Sequence, residues 1–244
     1  MNIKEFARNF LRKLGYEINA YNFLRSHEVR RNKFLHDQKI SLVLDVGANE
    51  GQYGSTIRNL GYNGNIISFE PVESVFQTLI QKSHLDSKWT TRKEALGNFD
   101  GYTAMNISDF SQVSSILSAT GLADTTYWKG KNQEKVRVRQ LDSLIDDLEI
   151  DAHRVWLKID TQGFEENVLR GCQELMKKDN LLFLEVELSV RQFYSGEKLF
   201  FEMLGYIRDF GFEIVSMQPV HVDAMKGYIL QYDCILVRKN ILDT

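Results

Sequence analysis

The sequence predicts an α/β fold in which a mostly parallel β-sheet is covered by helices on both faces. From residue 41 onward, short apolar runs alternate with segments of helical periodicity, the pattern of repeated strand–helix–strand units. The runs are apolar at successive positions, as expected of strands that are buried on both faces. The last two runs, 212–217 and 233–237, are joined without a helical segment, which allows an antiparallel final pair.

The individual elements follow from these runs and from the residues that bound them. Strands are predicted at 42–46, 65–69, 90–95, 155–159, 181–186, 212–217 and 233–237. Helices are predicted at 52–60, 72–83, 141–148, 165–176 and 199–210. Gly61 and Gly211 end two of these helices. The segment between Gly97 and Arg139 has an irregular pattern, except that its VRVRQL stretch resembles an extra strand.

Composition indicates a soluble globular protein. Of the 244 residues, 43% are hydrophobic and 26% are charged, and a formal net charge of -3 excludes an overall polycation for nucleic acid. Cys172 and Cys234 lack the spacing of a disulfide framework or a zinc site, so we predict a cytoplasmic location. No window reaches the roughly 18 consecutive apolar residues of a membrane span, and the N-terminus does not have the pattern of a secretory signal.

Residues 1–38 are predicted to form a helical N-terminal extension, attached to a main domain at 39–244. Apolar side chains recur at helical spacing, at Ile3, Phe6, Phe10, Leu11 and Leu14. A basic stretch follows at 25–33. One interpretation is an amphipathic helix that packs on the domain with a solvated basic face. The other is a contact with a membrane surface or an acidic ligand.

The segment DVGANEGQY at 45–53 is the first candidate for a binding site. A strand that ends in glycines and leads into a helix turns backbone N–H groups and the helix dipole toward a ligand, although Gly47 and Gly51 also suit a tight packed turn. Glu70, nineteen positions beyond Gly51, is placed to accept hydrogen bonds from a ribose diol. Alternatively, Glu70 before Pro71 favours the start of the next helix.

Asp45 indicates which cofactor this segment suits. Its negative charge would repel the pyrophosphate of a dinucleotide, whereas S-adenosylmethionine carries a cationic sulfonium and an ammonium group. S-adenosylmethionine is therefore favoured, and a nicotinamide-dependent oxidoreductase is the weaker alternative.

Five motifs occur in the order and spacing of the FkbM-type S-adenosylmethionine-dependent methyltransferases: DVGANEGQY (45–53), FEP (69–71), EALG (94–97), LDSL (141–144) and LKIDTQGFEENVLRG (157–171). The chain resembles this family over 42–237. The resemblance implies the class I methyltransferase fold, which is Rossmann-like, with a seven-stranded, mostly parallel sheet and an antiparallel last strand. It also implies O-methylation of a hydroxyl of a sugar, a polyketide or another secondary metabolite.

The resemblance further implies which residues hold the cofactor. The methionine half is expected beside Asp45, Gly47, Asn49, Gly51 and Tyr53. The ribose hydroxyls are expected at Glu70 with Pro71 shaping the turn. Glu94, Ala95 and Leu96 are expected to end strand three and to lie along the adenine. Thr161 and Gln162 stand where the family more often has a small apolar residue and an acid. This departure leaves a cofactor-binding module without catalysis as an alternative.

Methyl transfer to a hydroxyl requires alignment of the two reactants and a base. Asp160 follows the strand at 155–159, and Lys158 lies two residues earlier on the same face. Asp160 is predicted to be the base or to orient the acceptor; alternatively, it caps the next helix or pairs with Lys158. Glu185 and Glu187 share one face of the next strand. With Asp160 they suit substrate hydroxyls better than a metal ion, and no metal is predicted.

The remaining candidates concern the acceptor, which we expect to be a small molecule or a glycan. The acceptor predicted by family analogy is a glycosyl unit of a bacterial surface polysaccharide or lipopolysaccharide precursor. Tyr127, Trp128, Phe193 and Tyr194 either line its pocket or pack in loops. The histidines are predicted to be surface or packing residues, and His221 is the one with a possible role in the site.

Overall fold

The computed structural model describes residues 3–16, 21–108, 111–122 and 132–242. In chain order, the strands in these residues are β1 (Leu42–Val46), β2 (Asn65–Phe69), β3 (Trp89–Arg92), β4 (Ala95–Leu96), β5 (Gly101–Ile107), β6 (Asn132–Arg139), β7 (Val155–Ile159), β8 (Leu181–Ser189), β9 (Phe212–Val222) and β10 (Ile229–Arg238). The α-helices are α1 (Ile3–Lys13), α2 (His27–Asp37), α3 (Gln52–Asn59), α4 (Glu73–Ser83), α5 (Glu165–Arg170), α6 (Gln173–Lys177), α7 (Phe200–Asp209) and α8 (Lys239–Leu242).

The main sheet has seven strands in the order β3-β2-β1-β7-β8-β10-β9. The first five of these are parallel to one another, whereas β10 is antiparallel to both β8 and β9. The predicted class I methyltransferase sheet, mostly parallel with an antiparallel last strand, is therefore confirmed. The strand order reverses between β1 and β7, and ligands of such sheets bind beyond the carboxyl ends of the strands at this switch point.

Successive residues of the central strands alternate between two hydrophobic cores, one on each face of the sheet. On β1, Leu42 and Leu44 belong to one core and Val43 to the other. On β7, Leu157 and Trp156 divide in the same way, and all five side chains are at most 1% exposed. Burial on both faces explains why these strands were recognisable as unbroken apolar runs, and β1, β2 and β7 have the predicted bounds.

A second sheet corrects the prediction for the third strand. That strand was predicted at 90–95 but ends at Arg92, and Ala95–Leu96 forms β4 in a three-stranded sheet of order β4-β6-β5. The prediction that Glu94, Ala95 and Leu96 end strand three is thus wrong. The VRVRQL stretch overlaps strand β6. Strand β5 was not predicted, because its side chains are half-buried or exposed and it therefore has no apolar run.

Two predicted helices are shorter in the structure. The helix at 165–176 is divided into α5 and α6 at Gly171, where the chain passes so close to another loop that a Cβ would lie 1.8 Å from the Gly97 carbonyl oxygen. The helix at 141–148 is a single 3-10 turn, Asp142–Leu144. The Asp142 carboxylate instead accepts hydrogen bonds from the backbone N–H groups of Glu174 and Leu175 in α6.

The two N-terminal helices differ in their contacts. Helix α2 packs on the sheet, with Leu35 2% exposed and the Phe34 ring stacked 5.4 Å from that of Phe183. The described side chains of α1, by contrast, are exposed except for the half-buried Leu11. The boundary at residue 38 stays a prediction. Among the described residues, none of the helices has the length and apolarity for a membrane crossing.

Candidate active site

A cavity of about 620 Å³ opens at the carboxyl ends of β1, β2, β7 and β8. This volume is in the range of about 300–1,000 Å³ that is usual for small-molecule sites. The predicted site residues that line it are Gly47, Asn49, Tyr53, Glu70, Pro71, Ala95, Leu96, Lys158, Asp160 and Glu187. Asp45, Gly51 and Glu94 lie outside its lining. Glu94 instead pairs with Arg92 at 3.0 Å and with Arg137 at 3.8 Å.

The loop between β1 and α3 depends on residues that tolerate a left-handed backbone. Gly47 has φ +73°, and a Cβ there would lie 1.8 Å from the backbone oxygen of Asp160. Gly51 has φ +84°, and its Cβ would lie 2.9 Å from Leu79 Cδ1. Asn49 is also left-handed at φ 49°, which asparagine accepts more readily than most residues. The loop is therefore pressed against the loop that follows β7, and only glycine fits at position 47.

Glu70 ties this loop to the start of α4. One carboxylate oxygen accepts a hydrogen bond from the Asn49 N–H at 3.0 Å, and the other accepts one from the Val72 N–H at 2.9 Å. Only 5% of Glu70 is exposed, and burial raises its pKa to about 7. Each carboxylate oxygen can accept a second hydrogen bond, so Glu70 keeps the capacity to bind a diol.

Asp45 and Lys158 form a buried ion pair behind the loop. They are cross-strand neighbours on β1 and β7, and Lys158 Nζ lies 3.3 Å from Asp45 Oδ1. Ser68 on β2 donates a hydrogen bond to the other Asp45 oxygen at 3.0 Å. Burial raises the pKa of Asp45, against the opposing effects of Lys158 and Ser68. Lys158 Nζ also donates to the Gly47 carbonyl oxygen at 3.2 Å, so the pair supports the glycine loop.

Lys158 also reaches the predicted catalytic carboxylate. Its Nζ lies 3.6 Å from Asp160 Oδ2, which is the pairing weighed above as the alternative role of Asp160. Burial by itself would lower the pKa of Lys158, but Asp45 and Asp160 outweigh burial and raise it. Lys158 therefore stays protonated and positively charged, so it is unsuited to act as the base.

Gln162 joins the carboxylates of β7 and β8. Its amide nitrogen donates to Asp160 Oδ1 at 2.8 Å and lies 3.4 Å from Glu187 Oε2. Gln231 on β10 donates to the same Glu187 oxygen at 2.9 Å. Burial, followed by the charges of Asp160 and Asp233, raises the pKa of Glu187 well above its usual value. The departure from the family pattern at position 162 thus places a neutral amide between two carboxylates.

Glu185 is held in a separate network. It accepts hydrogen bonds from Arg31 at 3.0 Å, from the Tyr53 hydroxyl at 2.6 Å and from the Trp156 indole at 3.2 Å. Although burial opposes ionisation, Arg31, His27 and Tyr53 lower the pKa of Glu185 to about 2. In the described part of the chain, no group of three or more His, Cys, Asp or Glu side chains is arranged to hold a metal ion.

Several cavity residues were not predicted from the sequence, chief among them Arg31, Gln231 and Asp233. Arg31 comes from α2, inside the basic stretch that was read as solvated, and its guanidinium lies 4.8 Å from the centre of the Tyr53 ring. Asp233 lies directly opposite Glu187 in the pairing of β10 with β8. Burial, followed by the charges of Glu185 and Asp160, raises the pKa of Asp233 to about 7.

The aromatic candidates have different positions. Phe193 and Tyr194 are buried and pack with Leu230 outside the cavity lining, as the packing interpretation expects. Tyr127 and Trp128 lie outside the described residues. His221 lines the cavity from β9, which extends beyond the predicted strand, and its ring meets the Phe193 ring edge to face at 5.2 Å.

Comparison with protein families matches residues 45–214 to the methyltransferase FkbM domain. The chain belongs to the FkbM methyltransferase family. Its members use S-adenosylmethionine, so the cofactor and the enzyme class predicted from the five motifs are confirmed and the nicotinamide alternative is set aside. Glu70 and the glycine loop fit this cofactor, because they place hydrogen-bond acceptors and close-packed backbone at the switch point.

Solved structures that match the chain include TehB from Haemophilus influenzae, at 12% identity and a TM-score of 0.47. The match covers 87% of this chain and 61% of TehB, less than two thirds of that chain. Magnesium protoporphyrin IX methyltransferase (ChlM) from Synechocystis PCC 6803 with bound SAM matches at 12% identity and a TM-score of 0.45, covering 98% of both chains. A search of curated protein sequences found no match.

Proposed function

We propose that this FkbM family member transfers the methyl group of S-adenosylmethionine to a hydroxyl oxygen of a sugar or secondary metabolite. The observation that supports this acceptor is the lining of the cavity at β7, β8 and β10, where Asp160, Glu187 and Asp233 lie. The oxygens of carboxyl and carboxylate groups accept hydrogen bonds, so each of these side chains can hold the O–H group of an acceptor. Such a lining suits a molecule rich in hydroxyl groups.

The cofactor half of the cavity is assigned to the β1 and β2 ends. Glu70 accepts the ribose hydroxyls, the loop at 47–51 contacts the methionine half, and Ala95 with Leu96 borders the adenine. Asp45 acts from behind the loop, through Lys158 and its hydrogen bond to the Gly47 carbonyl. When bound, S-adenosylmethionine supplies an electrophilic methyl group on a sulfonium.

Asp233 is the best candidate for the base. No described residue donates a hydrogen bond to its carboxylate, whereas Asp160 is held by Lys158 and Gln162, and Glu187 by two glutamine amides. A base is most effective when its pKa is near the working pH, and burial raises the pKa of Asp233 to about 7. Asp233 would take the proton of the acceptor hydroxyl as the hydroxyl oxygen receives the methyl group and S-adenosylhomocysteine leaves, and Asp160 and Glu187 would orient the acceptor.

The acceptor class rests on family analogy. A glycosyl unit of a bacterial surface polysaccharide or lipopolysaccharide precursor, methylated in the cytoplasm, fits a hydroxyl-binding site of this kind. The test uses S-adenosylmethionine with a radiolabelled methyl group and a panel of free sugars, nucleotide sugars and oligosaccharides. We expect label that resists mild alkali, because a methyl ether survives treatment that hydrolyses a methyl ester. Label that alkali releases would assign a carboxylate acceptor and overturn the proposal.

A cofactor-binding module without catalysis is the second candidate, and the neutral Gln162 between two carboxylates is the observation that favours it. In that case S-adenosylhomocysteine binds in calorimetry but no acceptor is labelled. Enzyme-dependent labelling of any acceptor in the panel rules this candidate out.

A further inference from the structure

The chain that precedes the sheet exposes an unusual number of large hydrophobic side chains. The hydrophobic N-terminal surface consists of Phe6, Phe10, Leu14, Tyr16, Tyr21, Phe23 and Leu24, which are 46–71% exposed. All seven lie within 19 consecutive positions. Isolated exposed hydrophobic residues are ordinary, but a concentrated group marks a surface that contacts something else.

In α1 the hydrophobic and charged side chains lie on different sides of the helix. Phe6 and Phe10 lie four positions apart on one face of α1, and Leu14, directly after the helix, continues this spacing. Arg8 and Arg12 are spaced in the same way on another side. The described side chains of α1 are exposed apart from Leu11, so none of the residues that the structure describes covers the hydrophobic face.

Charge is distributed unevenly along the chain. Residues 1–38 contain eight Lys or Arg and four Asp or Glu, a net charge of +4, although Arg31 among them is buried against Glu185. Residues 39–244 contain the remaining 22 basic and 29 acidic residues, a net charge of -7. An anionic surface therefore attracts the N-terminal segment and repels the rest of the molecule.

We propose that the hydrophobic N-terminal surface docks on an anionic lipid bilayer. A helix that carries aromatic and leucine side chains on one face and arginines beside them lies in the plane of a membrane interface, with the hydrophobic face inserted and the basic groups at the lipid phosphates. The positive charge selects this partner over an uncharged protein groove. The proposal goes beyond methyl transfer and does not depend on the acceptor.

The experiment is co-sedimentation of the full chain with vesicles of phosphatidylglycerol and phosphatidylcholine, compared with phosphatidylcholine alone. We expect sedimentation with the anionic vesicles that weakens as salt is raised. Phe6→Ser combined with Phe10→Ser should reduce binding on the order of tenfold, because both side chains supply inserted apolar area. The matched control is Phe201→Ser on α7, a phenylalanine that is 83% exposed and should leave binding unchanged.

Three results would overturn the proposal: equal binding to neutral vesicles, no binding of the unaltered chain, or equal losses for the α1 and α7 variants. Sedimentation velocity without lipid tests whether the surface instead contacts a second copy of the chain. A dimer that the α1 variant abolishes would assign the surface to that contact. Calorimetry with S-adenosylhomocysteine confirms that each variant is folded, because the substituted side chains lie outside the cavity.

Discussion

The two halves of the cavity are built in different ways. At the ends of β1 and β2, backbone geometry dominates, since Gly47 has room for no side chain and Glu70 is held by two backbone N–H groups. At the ends of β7, β8 and β10, side chains hold side chains, as where Gln162 lies between Asp160 and Glu187. A backbone-defined half suits a cofactor of constant shape, whereas side-chain contacts can be replaced singly and suit an acceptor that differs between relatives.

The largest expected effect is a loss of kcat without a loss of cofactor affinity, which would distinguish the acceptor half of the cavity from the cofactor half. Asp233→Asn is expected to lower kcat about 10²- to 10⁴-fold, the usual contribution of a general base, and to leave the affinity for S-adenosylhomocysteine unchanged. Steady-state kinetics with a labelled acceptor and calorimetry measure the two quantities. Asp209→Asn, at an exposed position at the end of α7, is the matched control. A variant Asp233→Asn with full kcat would remove Asp233 as the base.

Gly47→Ala tests whether the backbone defines the cofactor half. The added Cβ would meet the Asp160 carbonyl at 1.8 Å in addition to the cost of φ +73°, so we expect a loss of about 3 kcal/mol in the free energy of unfolding. Denaturant titration measures it. Gly61→Ala is the control, because Gly61 has φ +94° with nothing within 4 Å of a Cβ. It should lose only about 1 kcal/mol, and equal losses would show that the contact with Asp160 is unimportant.

Glu70→Gln tests the ribose contact. An amide cannot accept hydrogen bonds at both positions as a carboxylate does, so the affinity for S-adenosylhomocysteine should fall by about 2 kcal/mol, roughly 30-fold. Glu73→Gln, three residues along on the exposed side of α4, should bind like the unaltered chain. Calorimetry at one pH compares the three proteins. An unchanged affinity of Glu70→Gln would withdraw the assignment.

The pH dependence of kcat should report the protonation of Asp233 in the acceptor half of the cavity. The pKa of Asp233 is raised to about 7, so the base becomes protonated as the pH falls below 7. Below this pH, kcat should fall about tenfold for each further pH unit. At higher pH the base is ionised and the rate levels off. A pH profile of the unaltered enzyme and of Asp233→Asn provides the test, since the variant should lose this acid limb. Persistence of the limb would assign it to another group.

Patterns that depend on neighbouring residues along the chain were predictable. The central strands are apolar because both of their faces are covered, and the glycine loop with Glu70 is a local signature of nucleoside-cofactor binding. The sequence therefore determined the central strands, the family and several of the residues that line the cavity at the ends of β1 and β2. It did so because each of these features depends on backbone conformation and periodicity within a few dozen residues.

Only the tertiary structure decided the partners of the charged groups. Arg31 lies 154 residues from Glu185 in sequence, yet it binds the Glu185 carboxylate, which was predicted to lie with Asp160 and Glu187. Asp233 lines the cavity because β10 lies between β8 and β9 in the sheet. The position of β4 in a second sheet was decided in the same way, by pairing with β6. Contacts between side chains distant in sequence depend on strand order and burial, and no local pattern along the chain encodes them.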